Sequence, residues 1–462
     1  MASRLTTVPV VALAALLFVA CTTPDAAPTP TAPPDVFGPT PSIHDESTPT
    51  TRPRPSTVTT ADQDRAFMYP VDPVTLEALG GFQPMRMGDW VWGQASPNGK
   101  YFAASVGNDN SGSTEIRLID VEGWTELGSW QETSSSELFV SDEGIVYFFS
   151  PNNQLRSLTP GDESSVTLAE VPLDYYVWGG QLSGDGLLAS YGVHTLNGIE
   201  ESSAIVVTVI DTGALTVIDL PQARHGSLEP TSNEPWSGYL YAFPGFVLDP
   251  AGSRALVVHA HQDVVSEVDL LTGSVTDHEV PELSAVTDLA RTSLQRSAAL
   301  SPDGGMLFVA STRTEALVDG HDWTVTNTPL GVRAIDTTSW TTSFSLDEPI
   351  GEIRISPEGD RLLATGFTST ESQNLYEGTT SGLFLLEAAQ LRVLAHHEPP
   401  SADTGLGGFS FNQEAGVGYT SIWNPMPSVL AIDLHSGQIT AEATGSSHLE
   451  MLGPIGVMSE LR

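Results

Sequence analysis

Residues 296–311 read RSAALSPDGGMLFVAS: an apolar run closing at Leu300, the phrase Ser301-Pro302-Asp303-Gly304, then a second apolar run from Met306 to Ala310. Proline presets the first turn angle and glycine accepts the positive φ that follows, so the stretch is expected to be two strands joined by a tight hairpin. The phrase recurs as SPNG from Ser96, SDEG from Ser141, SGDG from Ser183, DPAG from Asp249 and SPEG from Ser356, with a degraded copy, NQEAG, from Asn412. Its spacing of about 42 to 66 residues is that of a four-stranded repeat plus loops.

Each copy is followed by a second hairpin in which an apolar strand meets an Asp, a turn often ending in Gly or Trp, and another strand. Examples are IRLIDVEGWTELGSW from Ile116, VTVIDTGALTVIDL from Val207, VSEVDLLTGSVTDHEV from Val265, VRAIDTTSWTTSFSL from Val332 and VLAIDLHSGQITAEA from Val429. Two hairpins make four antiparallel strands, A to D. One such unit cannot bury both of its faces, whereas a closed ring of them can. The expected fold is therefore all-β, a β-propeller of four-stranded antiparallel blades. These phrases resemble the bacterial YVTN-type and WD40-like propeller repeats over nearly all of residues 61–462. The resemblance implies the fold and hardly constrains function. The WD dipeptide of eukaryotic WD40 blades is missing and GH occurs once, at Gly320-His321, outside the repeated phrases, so the peptide-reading habit of that group is not implied.

Seven complete A-to-D sets start near Trp90, Glu137, Val177, Leu240, Arg296, Ile353 and Gly407. Two pieces remain. FMYPVDPVTLEALGG from Phe67 reads as a C-to-D hairpin, and HLEMLGPIGVMSELR at the other end supplies an A and a B strand. Together they make a composite eighth blade, the alternative being a seven-bladed ring.

The chain has 462 residues, 57 acidic against 18 basic, and a formal net charge of −39. Such a field repels nucleic acid and anionic lipid, which excludes both as partners of the folded domain. The sole cysteine, Cys21, rules out a disulfide framework. It follows an apolar run from Val8 to Ala20 that Arg4 precedes, the charged and apolar regions of a secretory signal peptide. Leu17-Phe18-Val19-Ala20-Cys21 resembles a bacterial lipobox, which implies cleavage before Cys21 and acylation of its thiol. Residues 1–20 are thus read as a signal peptide, 21–60 as a lipidated cysteine with a tether, and 61–462 as the propeller. The tether is mostly Pro, Thr, Ser and Ala, and it is expected to be disordered and to reach on the order of 100 Å if fully stretched. The expected location is extracytoplasmic, anchored to the bacterial cell membrane through Cys21.

In this topology the A-to-B and C-to-D turns share one face, and the B-to-C and D-to-A connections share the other. The second group is long, notably Gly192 to Ser203, Pro221 to Gly238, Thr312 to Gly331 and Gly366 to Gly382, which marks a binding face. Aromatic residues beside the early A strands, Trp90, Trp92, Tyr176, Trp178, Tyr239 and Tyr241, suit stacking on sugars or other flat groups, or else blade-to-blade packing. Arg296 and Arg313 suit anion clamps, or structural ion pairs. In the stretch HAHQD, strand alternation would point His259, His261 and Asp263 to one side. With His194 and His321 from neighbouring loops they could hold a divalent metal ion, against the alternative of solvated or hydrogen-bonded imidazoles. No GxSxG, P-loop or dinucleotide fingerprint occurs. Three functions follow as expectations: a non-catalytic scaffold binding an envelope protein, glycan or small ligand, an extracytoplasmic metal-binding protein or metal-dependent enzyme, and a lactonase- or lyase-like enzyme at the channel mouth.

Overall fold

The computed structural model describes residues 66–461 apart from 89, 109–112, 135–137, 184–185, 197–198, 228–238, 250, 285, 287, 320–321, 373–374, 402–403, 424–426, 446–447 and 452–456. The expected signal peptide, Cys21 and the expected tether lie outside the described residues.

The first repeat is β3 (Trp90–Ala95), β4 (Tyr101–Asn108), β5 (Ser113–Asp120) and β6 (Thr125–Trp130), each hydrogen-bonded to the next in a four-stranded sheet. Similar four-stranded meanders follow over Phe139–Glu170, Tyr175–Arg224, Gly245–Glu279 and Leu406–Thr444. Between the last two, β21 (Thr292–Leu300), β22 (Met306–Asp319), β23 (Asp322–Asp336) and β24 (Thr341–Leu346) join β25 (Glu352–Ile355), β26 (Arg361–Ser372), β27 (Leu375–Glu387) and β28 (Arg392–His397) in one eight-stranded sheet. The remaining four-stranded sheet is composite. Its order is β2 (Met85–Arg86), β1 (Ala66–Pro70), β34 (Val457–Leu461) and β33 (His448–Met451), so both ends of the chain share it. The expected terminal pairing is present, with Phe67 opposite Glu460 and Met68 opposite Ser459. The second arm of the N-terminal hairpin comes later than its sequence suggests. Only the bridge Val71–Ala78 forms early, and the ladder resumes at Met85. The A strand expected near Leu240 also starts later, at Gly245, because Tyr241–Ala242 pairs instead with Gly226–Ser227.

Core clusters join each sheet to the next in chain order. Ile116 and Leu118 pack with Val146 and Phe148, while Phe149 and Leu155 pack with Val177 and Leu188. The composite sheet closes the series on both sides, through Met68 and Met87 against Phe102, and Val71 and Leu76 against Tyr419. Sheets packed face on face in a closed series are a β-propeller, and its inter-sheet layers are the hydrophobic core.

The recurring phrases have a local physical cause. Ser301 Oγ donates to Asp303 and accepts the Met306 N–H, and Ser96 and Ser356 do the same with Asn98 and Asp360. In the C-to-D turns, the carboxylates of Asp269, Asp336 and Asp433 each accept two backbone N–H groups, which holds them below the ordinary carboxylate range. Asp72 makes the same bonds to Val74 and Thr75, identifying the N-terminal piece as one more copy of this hairpin. Gly359 has φ +78°, and an added Cβ would meet the Pro302 ring of the preceding turn. Gly359→Ala is therefore expected to cost about 2 kcal/mol, from left-handed backbone and overlap together, measured by urea unfolding. An unchanged midpoint would show that the two turns do not abut.

The connections Thr312 to Gly331 and Gly366 to Gly382, expected as loops, are strands. β22 and β23 run on past their blade as one long hairpin, and β26 and β27 as another. The two hairpins then pair with each other, Thr324 with Ser372 through Asn327 with Ser369. Each leaves its blade at a bulge, between Ala310 and Thr312 in one and between Thr365 and Phe367 in the other, where added twist turns the strands away. The result is a four-stranded arm sheet ordered β22-β23-β26-β27. Its inner side buries Ala316, Trp323 and Val325 against Leu240, with Tyr239 on the Trp323 ring at 5.5 Å and Tyr239 Oη donating to Glu371. Its outer side carries Thr324, Thr326 and Thr370.

Candidate functional site

A cavity of about 270 Å³ lies where the arms leave the blades. Its wall comes from Phe243, from Gln295–Ser297 on β21, from Gly351 and Glu352 at the start of β25, and from Leu406 on the next A strand. Thr312, Thr365 and Phe367, at the two bulges, complete it. β25 starts at Glu352 and runs toward its turn at Ser356, so the cavity sits at the end of the A strands opposite the A-to-B turns. That is the face bearing the B-to-C arms. A shallower hollow of about 460 Å³ adjoins residues 81–85 and Gly123–Trp124, where the Trp124 indole N–H is already bonded to Gln83 O.

The cavity's polar groups divide into engaged and available. Ser297 Oγ bridges the backbone of Ile353, and Thr365 Oγ1 donates to Gly382 O. Arg296 is buried, at 7% exposure, with Nε on His259 O at 3.3 Å and Nη1 on Ser311 Oγ at 2.7 Å. Burial lowers its guanidinium to about 10, with Asp263 opposing the shift. Glu352 is solvent-exposed at the cavity yet has protein on most sides, and this desolvation raises its carboxyl above the ordinary range despite Arg354. With Phe243, Phe367 and Leu406 as apolar wall, the arrangement suits a small amphipathic group presented to one carboxyl. Arg313, in contrast, stands exposed on the arm beside Glu315 at 3.8 Å and takes no part in the cavity.

Of the aromatic residues singled out in the sequence, Tyr176, Trp178 and Tyr241 gather around His225, whereas Tyr239 packs on Trp323 of the arm. Tyr176 meets Trp178 edge-on at 5.3 Å, Trp178 lies 5.7 Å from His225, and His225 meets Tyr241 and Phe243 edge-on. Tyr191 Oη bonds His225 Nδ1 at 2.8 Å. The hub of this cluster, His225, is 3% exposed, and burial drives its pKa down to about 3. Sequence reading missed it, since a lone His after a D strand carries no local signal. Trp90 and Trp92 are in β3, their side chains outside the described residues.

The histidines do not follow strand alternation. β18 (Arg254–Val258) ends before them, and His259 to Asp263 form the short B-to-C turn closed by His259 N–H to Val264 O. His259 engages both ring nitrogens, with Gln262 at 3.0 Å and Ser266 at 2.8 Å, and Ser266 Oγ donates a hydrogen bond to Asp277 Oδ1. His261 lies beside it with ring centroids 6.3 Å apart, its pKa lowered to about 4 by burial, His259, Arg224 and Arg296. His194 faces Asp174 at 3.5 Å on another blade, and His321 lies outside the described residues. Among the described residues no three His, Cys, Asp or Glu side chains gather as a metal site.

No family model and no curated protein matches the chain. Among solved structures it is similar to a structure described as the Dos1 propeller (14% identity over 85% of this chain and 94% of that one, TM-score 0.49). It is also similar to the dihydro-heme d1 dehydrogenase NirN (14% identity, 85% and 76% covered, TM-score 0.48). A third similar structure is an oligogalacturonate lyase in complex with manganese (12% identity, 80% and 88% covered, TM-score 0.45). These neighbours include enzymes, and what they have in common with this chain is the propeller fold.

Proposed function

We propose that this chain is an exported lipoprotein, acylated at Cys21 and held to the cell membrane by residues 22–60, whose eight-bladed propeller is a non-catalytic scaffold binding another envelope protein. The eight-blade reading counts the composite sheet as one blade and the eight-stranded sheet as two. One observation carries the functional reading: the paired arms and the cavity share one face, while the described turns of the opposite face are short apart from residues 71–84 and 159–165. Two hairpins lengthened and zipped together present a surface wider than a small ligand requires.

The test replaces residues 314–327 and 368–379 by tight turns and compares cross-linked capture from envelope fractions with that of the intact chain. The trimmed protein is expected to keep its fold and lose its partner bands; identical capture by both forms would overturn the reading. Mass spectrometry of the mature protein checks the anchor, with a diacylglyceryl adduct at Cys21 expected and absent from Cys21→Ser.

A second reading, lyase- or lactonase-like chemistry at the channel mouth, draws on the Glu352 carboxyl held toward its protonated form within the cavity. It requires Glu352→Gln to abolish turnover found in a lactone and acidic-glycan screen.

A further inference from the structure

The two edges of the arm sheet are finished differently. The β22 edge is covered by β21, which pairs with it from Thr312 to Glu315, and by the preceding turn, where the Ala316 N–H donates to Arg291 O. The β27 edge is open. β28 pairs with β27 only from Leu383 to Glu387, and the chain then runs into Pro399 and Pro400, which have no N–H to continue a ladder. From Leu375 to Thr380, β27 therefore has β26 on one side and no strand on the other among the described residues. Beyond it the edge is capped, Ser381 O by His396 Nε2 and the Gly382 N–H by Thr380 Oγ1. An open edge offers a row of backbone donors and acceptors, and proteins usually blunt it with proline, lysine or a covering loop. This one carries no proline or lysine among its own residues, LYEGTT.

Its side chains restrict what it would accept. Tyr376, 39% exposed, and Glu377 point to opposite faces of the strand. Gly378 leaves room for the Phe367 ring beneath it, and that ring also lines the cavity. The arm bears Glu315, Asp319, Asp322, Glu371 and Glu377 against a single arginine, Arg313. A second copy of the chain would bring like charge to like charge, at −39 per copy. The protein's own tether is too rich in proline to ladder.

We propose that the open edge of β27 receives an extended, basic segment of a partner polypeptide as a fifth strand of the arm sheet. Backbone pairing supplies affinity, a cation opposite Glu377 and an apolar residue beside Tyr376 supply choice. The proposal rests on the reading of the arm face as the binding face and names what that face takes.

The experiment uses full-length protein in non-ionic detergent and a labelled nine-residue peptide alternating arginine with valine, followed by fluorescence anisotropy. Saturable binding is expected, with new hydrogen-exchange protection confined to Leu375–Thr380. N-methylation of alternate peptide amides should weaken it by about tenfold or more, and so should Glu377→Lys, an exposed change that leaves the fold intact. Equal affinity for the N-methylated peptide would overturn strand addition, and equal affinity for a glutamate-valine peptide would overturn the charge preference. If arm trimming abolishes envelope capture while N-methylation is without effect, the face binds but not through this edge. If trimming leaves capture unchanged, the broader reading itself fails.

Discussion

Removing residues 445–462 is expected to lower the unfolding midpoint by about 10 °C or more and to split one cooperative transition into two. The deletion takes away β33 and β34, and with them the five-residue ladder that places Ala66 opposite Leu461 and Pro70 opposite Val457. β1 would keep only its two pairs with β2. Each lost backbone bond contributes about 1 kcal/mol net, so several together approach the whole stability of an ordinary domain. The N-terminal hairpin would still be held to its neighbours by Tyr419 Oη on Pro73 O and by the Trp124 indole on Gln83 O. The truncation thus tests ring closure itself, with local docking preserved. Circular dichroism and intrinsic fluorescence followed through the same urea titration give the readout. Coincident transitions at the intact protein's midpoint would mean that the terminal strands are ornamental.

Much of this fold is legible because its signals are local. Ser301 and Asp303 lie within five residues of every group they bind, and Asp336 caps a turn only four residues long. The same economy made the two ends of the chain readable as half-blades, since Asp72 repeats the C-to-D turn on its own.

What escaped is what depends on distant partners. The alternation of Thr314, Ala316 and Val318 marks a strand, but the positions between and beside them, Arg313, Glu315, Leu317 and Asp319, are mostly charged and meet solvent, which makes the stretch read as a loop. The pairing of residues 324–327 with residues 369–372 is a contact across some 45 positions that no periodicity reveals. Trp124 and Trp340 show the same limit from another side. Both adopt positive φ, at +46° and +56°, where other blades place Gly213, Gly273 and Gly437. For Trp340 the compensation is a ring stacked at 3.9 Å on His278 of the preceding blade. The candidate site follows this pattern: Arg296 was legible as an anion clamp or structural ion-pair residue though not as a buried one, whereas Glu352 and His225 acquire their altered acidity only from what surrounds them.

Acid should destabilise this protein before its turn carboxylates titrate, and His225 is the reason. Its imidazole is neutral when folded, because burial holds its pKa near 3 against 6.5 for the exposed ring. Between those values the unfolded chain binds a proton that the folded chain refuses, so stability is complete above pH 6.5 and declines as pH falls toward 3. The full difference is worth on the order of 4 kcal/mol. His261, depressed to about 4, adds to the same slope. The turn aspartates act in the same direction but later: Asp269, Asp336 and Asp433 are held below 3.8, and their contribution is lost only as pH drops through those lowered values. Replacing the ring by phenylalanine separates the two windows. His225→Phe sacrifices the bond to Tyr191 and is expected to be less stable at pH 7.5, yet its stability should fall far less steeply between pH 6.5 and 4. Urea midpoints of both proteins across that range decide the matter. Parallel curves would show that His225 titrates normally, and that the aromatic cluster around it is open to water.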